Sequence, residues 1–306
     1  MVSIAMRDVT KRFGSVTALD SLDLTVQSGE IYGFLGPNGA GKSTAINVLL
    51  DFVRPTSGKA TVLGYDTRKE STEIRARTGV LPDGYQLYGR LTGREHLEYS
   101  IASRGAGDDP DVILERVGIA DAADRRAGGY SKGMAQRLAL GMALVGEPEL
   151  LLLDEPSTGL DPTGAREMRT IIEAEAARGA TVFFSSHILG QVEAVCDRVG
   201  ILRDGSLIAE DTIDGLKSSI DSRSTIEVTV ENAPPGIERE IRPIGGVSSV
   251  EFSNSKLTID TTDDAKMTVL QAIESTGATV KNVQTDDSSL EDLFVAYTSD
   301  ESGVAQ

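Results

Sequence analysis

The sequence predicts an α/β domain followed by a smaller α+β domain. Over about the first two hundred residues, short apolar segments typical of strands alternate with longer amphipathic segments. Strands are expected at 30–36, 149–155 and 180–186. The last two are nearly continuous apolar runs, which are typical of parallel strands buried on both faces. The following segment, VGILRDGSLIAE, predicts a hairpin that turns at Asp204 and Gly205.

The character of the sequence changes beyond residue 216, where KSSIDSRS has the composition of a polar linker. The segments TIEVTV, KLTIDT and ATVKNVQT predict strands, and a helix is expected over 264–275, so this part is a small α+β domain. Its final segment, SLEDLFVAYT, predicts a short capped helix that begins at Ser288 or Ser289. The predicted division is 1–216 for the first domain, 217–225 for the linker, 226–298 for the small domain and 299–306 for a disordered tail.

The composition is that of a globular protein and excludes several classes. Of 306 residues, 40% are hydrophobic, and no apolar run approaches the roughly 18 residues that span a bilayer. The N-terminus lacks the basic and apolar parts of a secretion signal, so a cytoplasmic location is expected. The net charge of −17 argues against nucleic acid as a partner and is typical of a salt-rich cytoplasm. The single cysteine, Cys196, cannot form an internal disulfide and is expected in the core.

A phosphate-binding loop is predicted at GPNGAGKST, residues 36–44. The segment fits the pattern G-x-x-x-x-G-K-[ST] and lies between a strand that ends at Leu35 and a predicted helix. Its glycines let backbone N–H groups turn toward phosphate oxygens, and the N-terminus of the helix favours the same anion. Lys42 would reach the β- and γ-phosphates, and the Ser43 hydroxyl would bind Mg²⁺.

Acidic side chains and a histidine follow the predicted strands of the sheet. Asp154, at the end of LLLLD, can hold Mg²⁺ directly or through water. Glu155 is then placed to orient and polarise the water that attacks the γ-phosphate. His187 follows TVFFSS at the carboxyl end of that strand, where it is placed to contact the γ-phosphate. His96, in TGREHLEYS, has no such setting and is expected on the surface of a helix.

The segment YSKGMAQR has two interpretations. Ser131 is a good N-cap, and MAQRLALGMALV has the apolar spacing of a helix, so the segment can be an ordinary capped core helix. Alternatively, Ser131, the N–H groups near Gly133 and the positive end of the helix form a second anion site. The residues alone leave both interpretations open.

The phosphate loop, YSKGM, LLLLDEP, TGLDP and SSH, in this order and spacing, resemble the ATP-binding subunit of ABC transporters over about 3–216. The resemblance implies a P-loop NTPase domain of the ABC ATPase type with a helical subdomain. It also implies that two such subunits, a second copy or a homologous subunit, dimerise head to tail. The signature motif of each would then close over the ATP held by the phosphate loop of the other.

The same resemblance implies a role for particular residues. ATP would be bound by the loop and by an aromatic ring that stacks on adenine, and Mg²⁺ by oxygen ligands. The residues implied for ATP are Phe13, Gly36, Pro37, Asn38, Gly39, Ala40, Gly41, Lys42, Ser43 and Thr44. Those implied elsewhere are Ser43, Asp154 and Asp83 for the metal, Glu155 and His187 for catalysis, Ser131, Lys132, Gly133 and Met134 for the partner's ATP, and Asp161 at the dimer seam.

The chain departs from the family pattern at two places. The signature usually reads LSGGQ, and Lys132 and Met134 replace its first glycine and its glutamine. The YSKGM form is typical of exporters with separate permease subunits, whose cargo includes drugs, antibiotics, ions and polysaccharide-like molecules. Asp83 stands where the family has a magnesium-binding glutamine, and Gln86 is the alternative for that role. An aspartate is a hard oxygen ligand and keeps the metal site.

The leading hypothesis is an ATPase that powers a membrane exporter. It would lie in the cytoplasm, at the inner face of the cell membrane, through a separate multi-spanning permease that selects the cargo. The alternative within the family is a soluble ABC-type ATPase that acts on nucleic acid or ribosomes. Such relatives usually carry a long coiled coil before the signature or two cassettes in one chain, and this sequence has neither. A small-molecule P-loop kinase would leave YSKGM and TGLDP without a use. The small C-terminal domain resembles the accessory domain of the exporter subunits.

Overall fold

The computed structural model describes residues 1–219 and 223–287. These residues belong to two units, of which the first is Met1–Ile213 and the second begins at Asp214. Each unit has its own cluster of buried apolar side chains. In the described part of the chain, no helix combines the length and the apolar character needed to cross a membrane.

A largely parallel sheet runs through the first unit. Among the described residues, six strands form this sheet in the order β10-β9-β3-β8-β7-β6. Every residue of β3, β7 and β8 is buried, which explains their continuous apolar runs. The strands are β3 (Ile31–Leu35), β6 (Thr78–Leu81), β7 (Leu150–Asp154), β8 (Thr181–Ser186), β9 (Arg198–Arg203) and β10 (Ser206–Thr212). The predicted α/β fold is confirmed, and β9 and β10 form the predicted hairpin.

An antiparallel sheet forms a further layer of the first unit. Its described strands have the order β2-β1-β4-β5. They are β1 (Val2–Phe13), β2 (Val16–Gln27), β4 (Ser57–Val62) and β5 (Tyr65–Asp66). Buried residues of β1, β2 and β4 join those of the parallel sheet and of the first helix in one core. This packing supports the strand from which the phosphate loop leaves.

The helices of the first unit are α1 (Lys42–Leu49), α2 (Ser71–Arg77), α3 (Gly93–Arg104), α4 (Pro110–Arg116), α5 (Lys132–Leu144), α6 (Pro162–Ala177) and α7 (Leu189–Glu193). Three of them, α3, α4 and α5, contact one another and form the predicted helical subdomain. A capping box between Thr92 and Glu95 begins α3, and Ser131 caps α5 as predicted.

His96 was expected on the surface, and that prediction is wrong. Its side chain is 1% exposed. The residues before α3 fold back over the ring, so that Nε2 accepts a hydrogen bond from the Tyr88 backbone N–H at 3.0 Å. Nδ1 lies 2.7 Å from the Thr92 carbonyl oxygen. His96 therefore fixes the loop just before the helix, through contacts that helical spacing does not reveal.

The second unit is a small α+β domain, as predicted. Its described strands pair antiparallel in the order β12-β13-β11-β14. The elements are α8 (Ile213–Ser219), β11 (Arg223–Glu231), α9 (Glu238–Ile241), β12 (Val247–Ser253), β13 (Lys256–Thr262), α10 (Lys266–Ser275) and β14 (Thr279–Asp287). The side chains on one face of the sheet, such as Ile226, Val228 and Ile259, form the core together with Val269 and Ile273 of α10.

The connection between the units differs from the predicted linker at 217–225. The helix α8 extends to Ser219, and β11 already begins at Arg223. Backbone hydrogen bonds of a helix and a strand therefore occupy both ends of the polar segment. The predicted terminal helix at 288–298 and the predicted tail at 299–306 lie outside the described residues.

Aromatic packing between β3 and β8 lies at the centre of the first unit. Phe183 is fully buried and stacks on Tyr32, with ring centroids 5.8 Å apart and planes 5° from parallel. The ring of Phe34 lies 5.1 Å from the same phenylalanine. These rings face each other across paired strands, so they stabilise the sheet that carries the phosphate loop.

Replacing Phe183 by alanine should lower the free energy of unfolding by about 3–5 kcal/mol, because the substitution leaves a cavity between packed rings. Urea denaturation followed by circular dichroism measures the change. The matched control is Phe52→Ala, since that ring is 64% exposed, and a change within about 0.5 kcal/mol is expected there. Equal losses in the two variants would contradict the account of the core.

Candidate functional site

The phosphate loop joins the end of β3 to the start of α1. Its closing glycine, Gly41, has φ +111°, in the region that side chains rarely adopt. A Cβ there would also lie 2.4 Å from the carbonyl oxygen of Ala18. At the other end of the loop, a Cβ on Gly36 would lie 2.5 Å from the carbonyl oxygen of Leu202. Glycine is thus required at both ends, since neighbouring backbone fills the space.

The other loop residues differ in their exposure. Asn38, Gly39 and Ser43 are exposed, whereas Ala40 is buried. The Ala40 carbonyl accepts a hydrogen bond from the Gly205 N–H at 2.9 Å, which ties the loop to the β9–β10 turn. The β9–β10 turn therefore fixes the loop through Ala40. The exposed residues leave the N-terminus of α1 open to an anion.

Lys42 bridges the loop and the carboxylate that follows β7. Its side chain is 6% exposed. The ammonium group donates hydrogen bonds to the carbonyl oxygens of Gly36 at 2.6 Å and Pro37 at 3.2 Å. It also lies 3.3 Å from Oε1 of Glu155. A buried cation thus faces both the loop and an acidic side chain.

Glu155 has an unusual backbone conformation that aims its carboxylate. Its φ is +51°, which costs free energy for a residue with a side chain. Its N–H contacts Ser185, with Oγ at 3.0 Å and the carbonyl oxygen at 3.2 Å. Oε2 contacts Nδ1 of His187 at 2.8 Å and accepts a hydrogen bond from the Thr158 hydroxyl at 3.2 Å. The backbone turn therefore directs the carboxylate at the histidine.

The second carboxylate oxygen of Glu155 is available for chemistry. Oε1 is buried and makes no hydrogen bond among the described residues. Lys42 is close enough for an ion pair, but the contact lacks hydrogen-bond geometry. A buried oxygen in this state normally receives a hydrogen bond from water or a ligand. Glu155 can accordingly orient a water molecule while His187 holds its other oxygen.

Asp154 lies at the last position of β7 and is 5% exposed. Its Oδ1 accepts a hydrogen bond from the Ser185 hydroxyl at 2.5 Å. The two residues are paired across β7 and β8, so the register of the sheet fixes this contact. Ser185 also accepts from the Glu155 N–H, and sequence analysis missed it. The serines of SSH gave no indication of that contact, because it depends on the strand register.

The predicted metal ligands have a chemistry that suits Mg²⁺. The Ser43 hydroxyl and the Asp154 carboxylate are hard oxygen donors. Asp83 lies on an exposed loop after β6, and its Oδ1 accepts from the Gly84 N–H at 2.8 Å. In 1–219 and 223–287, no three His, Cys, Asp or Glu side chains gather as a metal cluster. A site with so few protein ligands is compatible with Mg²⁺, because this ion typically binds one or two carboxylates together with substrate phosphates and water.

YSKGM and TGLDP, which are far apart in sequence, line one open cavity. Ser131 caps α5, and its hydroxyl accepts from the Met134 N–H at 3.2 Å. Asp161 caps α6 and accepts from the Gly164 N–H at 2.7 Å. Both residues, with Lys132 and Gly133, line the cavity of about 410 Å³. No residue of the phosphate loop lines it.

Local packing holds the signature segment in place. The Tyr130 hydroxyl donates to the Ala122 carbonyl at 2.7 Å, and burial raises the pKa of Tyr130 above its ordinary value. Lys132 extends along Gly159, where a Cβ would lie 2.0 Å from its Nζ. Lys132 of the YSKGM segment therefore lies against the TGLDP segment.

Phe13 and Cys196 occupy contrasting environments. Phe13 ends β1, is 49% exposed, and lies 4.6 Å from Nζ of Lys11. An exposed ring of this kind is available for stacking with a planar ligand.

Cys196 is buried, as predicted, and follows the end of α7. Burial raises the pKa of its thiol well above the ordinary value, so the thiol stays protonated and unreactive.

Comparisons with known proteins find similar sequences and a similar solved structure. The family model described as ABC transporter matches residues 19–158. The chain is 43% identical over 217 residues to the bacitracin transport ATP-binding protein BcrA of Bacillus licheniformis, covering 70% of this chain and 71% of that protein. It is 34% identical to the daunorubicin resistance ATP-binding protein DrrA3 of Streptomyces coeruleorubidus, over 99% of this chain and 98% of that one. It is similar to the solved dimeric structure of a bacterial ABC transporter cassette, with a TM-score of 0.63, 26% identity, and coverage of 69% of this chain and 98% of that one.

Proposed function

The chain belongs to the ABC transporter family of ATP-binding subunits, and on that premise we propose that it powers export of a drug-like or antibiotic-like cargo. ATP binding, ATP hydrolysis and their coupling to transport follow from membership of the family. The cargo class is supported by the names of the relatives, which refer to bacitracin and daunorubicin. The observation that carries the site assignment is the set of contacts from Lys42 through Glu155 to His187.

The proposed reaction is attack of water on the γ-phosphorus of ATP. Glu155 orients the water through Oε1 and accepts its proton as the new P–O bond forms, and the proton then passes to the released phosphate. The bond between the γ-phosphorus and the β-bridging oxygen breaks, and ADP and phosphate leave. His187 holds Oε2 of Glu155 and contacts the γ-phosphate. Lys42 leaves its loop carbonyl partners and Glu155 to neutralise the β- and γ-phosphates.

Ser43 and Asp154 are proposed to hold Mg²⁺, with Asp83 as a further oxygen ligand. When bound, the ion supplies charge neutralisation at the β- and γ-phosphates. Ser185 keeps the Asp154 carboxylate in its orientation by donating to Oδ1. The loop residues from Gly36 to Thr44 surround the phosphates, and Phe13 stacks on the adenine.

A second copy, or a homologous subunit, is proposed to complete the site. Ser131, Lys132, Gly133 and Met134 would contact the γ-phosphate held by the partner's loop, with Asp161 at the seam. The shared cavity of the signature and TGLDP segments supports this, because it offers the N-terminus of α5 to an anion. That YSKGM is the signature motif of this chain is part of this proposal. The similar bacterial cassette has been solved as a dimer.

The remaining partner is proposed to be a separate multi-spanning permease at the inner face of the cell membrane. The loop with Asp83 and Gln86 is exposed and is the part of the chain proposed to face it. Residues 226–298 are proposed to form an accessory domain, with nucleotide binding confined to 1–216. The net charge of −17 favours this function over one on nucleic acid.

Substitutions at Lys42 and Glu155 should separate binding from hydrolysis. Lys42→Ala should abolish hydrolysis and most ATP binding, because the phosphates lose their buried cation. Glu155→Gln should keep ATP binding but lower the hydrolysis rate at least ~100-fold, because the amide cannot accept a proton from water. Calorimetry with ATP and phosphate release measure the two properties. The control is Lys69→Ala, because Lys69 is exposed. Normal turnover in Lys42→Ala would refute the site assignment.

The dimer can be tested in the hydrolysis-deficient background. Glu155→Gln should form a dimer with Mg-free ATP and remain a monomer with ADP, because ATP joins the two subunits. Adding Ser131→Arg should prevent the dimer, since a long side chain would obstruct the cavity. Light scattering during size exclusion measures the mass. Ser103→Arg, at an exposed position of α3, is the matched control. Dimers of equal yield with Ser131→Arg would make the segment a capped helix alone.

A further inference from the structure

Gln191 joins the two segments that carry the proposed catalytic residues. It lies on α7, the short helix that follows β8. Its Oε1 accepts a hydrogen bond from the Ser157 hydroxyl on one side. On the other side, the same oxygen accepts from the Ser186 hydroxyl at 3.3 Å. One side-chain oxygen therefore bridges the turn after β7 and the end of β8.

Each serine lies next to a residue of the proposed hydrolytic site. Ser157 follows Glu155 by two residues and is 7% exposed. It belongs to the turn closed by the hydrogen bond from the Thr158 N–H to the Glu155 carbonyl. Ser186 directly precedes His187 and is fully buried. A shift of either serine would therefore move the carboxylate relative to the imidazole.

Backbone pairing between β7 and β8 does not reach Ser157 or Ser186. The paired register of β7 and β8 ends at Asp154 and Ser185. Beyond it, the Glu155 N–H still donates to Ser185, the segment after β7 turns at Ser157, and Ser186 pairs with Leu35 of β3 instead of with β7. The Ser186 hydroxyl also accepts from the Ile188 N–H at 3.0 Å, which fixes the turn around His187. Where β7 and β8 are no longer paired, Gln191 is the common acceptor of the Ser157 and Ser186 hydroxyls.

Space around Gln191 would allow the segments to move if the bridge were lost. A small cavity of about 20 Å³ is lined in part by Ser157, Phe184 and Gln191. That volume holds about one water molecule. Truncation of Gln191 would enlarge the cavity and leave the buried Ser157 hydroxyl without this acceptor. The Ser186 hydroxyl would keep only the Ile188 carbonyl oxygen, at 3.4 Å. The expected result is a looser contact between Glu155 and His187, which now lie 2.8 Å apart.

We propose that Gln191 is a positioning residue for ATP hydrolysis, which acts by holding Glu155 against His187 through Ser157 and Ser186. The inference rests on the roles proposed above for Glu155 and His187. Gln191 itself does not contact the nucleotide in this scheme. Its loss should therefore affect the chemical step more than the binding of ATP.

The test compares substitutions that keep or remove the acceptor oxygen. Gln191→Met has a similar length but no such acceptor, and it should lower kcat about 10- to 100-fold while KM for ATP changes less than about twofold. Gln191→Glu retains an oxygen that both serines can donate to and should restore kcat to within about threefold. Steady-state phosphate release gives kcat and KM, and thermal unfolding gives Tm. Gln27→Met, at an exposed position of β2, is the matched control.

The outcomes distinguish positioning from packing. Full kcat in Gln191→Met would overturn the inference. So would a loss of kcat and a fall in Tm in Gln191→Glu that are as large as those in Gln191→Met. Ser157→Ala provides a second variant if Gln191→Met does not fold, and unchanged kcat there would also overturn it. If Glu155→Gln retained hydrolysis, the proposed function would fail first. If Glu155→Gln is inactive and Gln191→Met is fully active, the positioning role alone is wrong.

Discussion

The parallel pairing of β3, β8 and β7 is the constraint on which the site depends. Backbone hydrogen bonds align Leu35 with Ser186 and Asp154 with Ser185. The carboxyl ends of these strands therefore meet at one edge, where open α/β sheets bind ligands. Residues that are more than a hundred positions apart in sequence come within hydrogen-bond distance there. The buried aromatic rings between β3 and β8 support this register.

Electrostatics then sets the resting state of the site. Lys42 and Glu155 are both nearly buried, and each would be costly to leave without a charged partner. Their proximity offsets part of that cost, and His187 and Thr158 hold the other carboxylate oxygen. In the proposed function, the phosphates of ATP replace Glu155 as the partner of Lys42. The strained φ of Glu155 keeps the carboxylate at this position.

The sequence predicted the elements that depend on local pattern. Continuous apolar runs identified β7 and β8, and the glycine spacing identified the phosphate loop, because burial and backbone conformation restrict residue type directly. The contacts that it did not predict depend on which strands and loops become neighbours. The burial of His96, the role of Ser185 between two carboxylates and the bridge formed by Gln191 all belong to this group. A serine or glutamine in a polar segment carries no local signal of such a partner.

The ATP site is proposed to be divided between two subunits, with the cavity lined by YSKGM on one and the phosphate loop on the other. Mixing two inactive variants tests this most directly. A heterodimer of Lys42→Ala and Ser131→Arg would combine the intact loop of one subunit with the intact signature of the other. The mixture should hydrolyse ATP well above the sum of the separate variants, with a rate that is highest near equal amounts. Activity no greater than that sum at any ratio would contradict it.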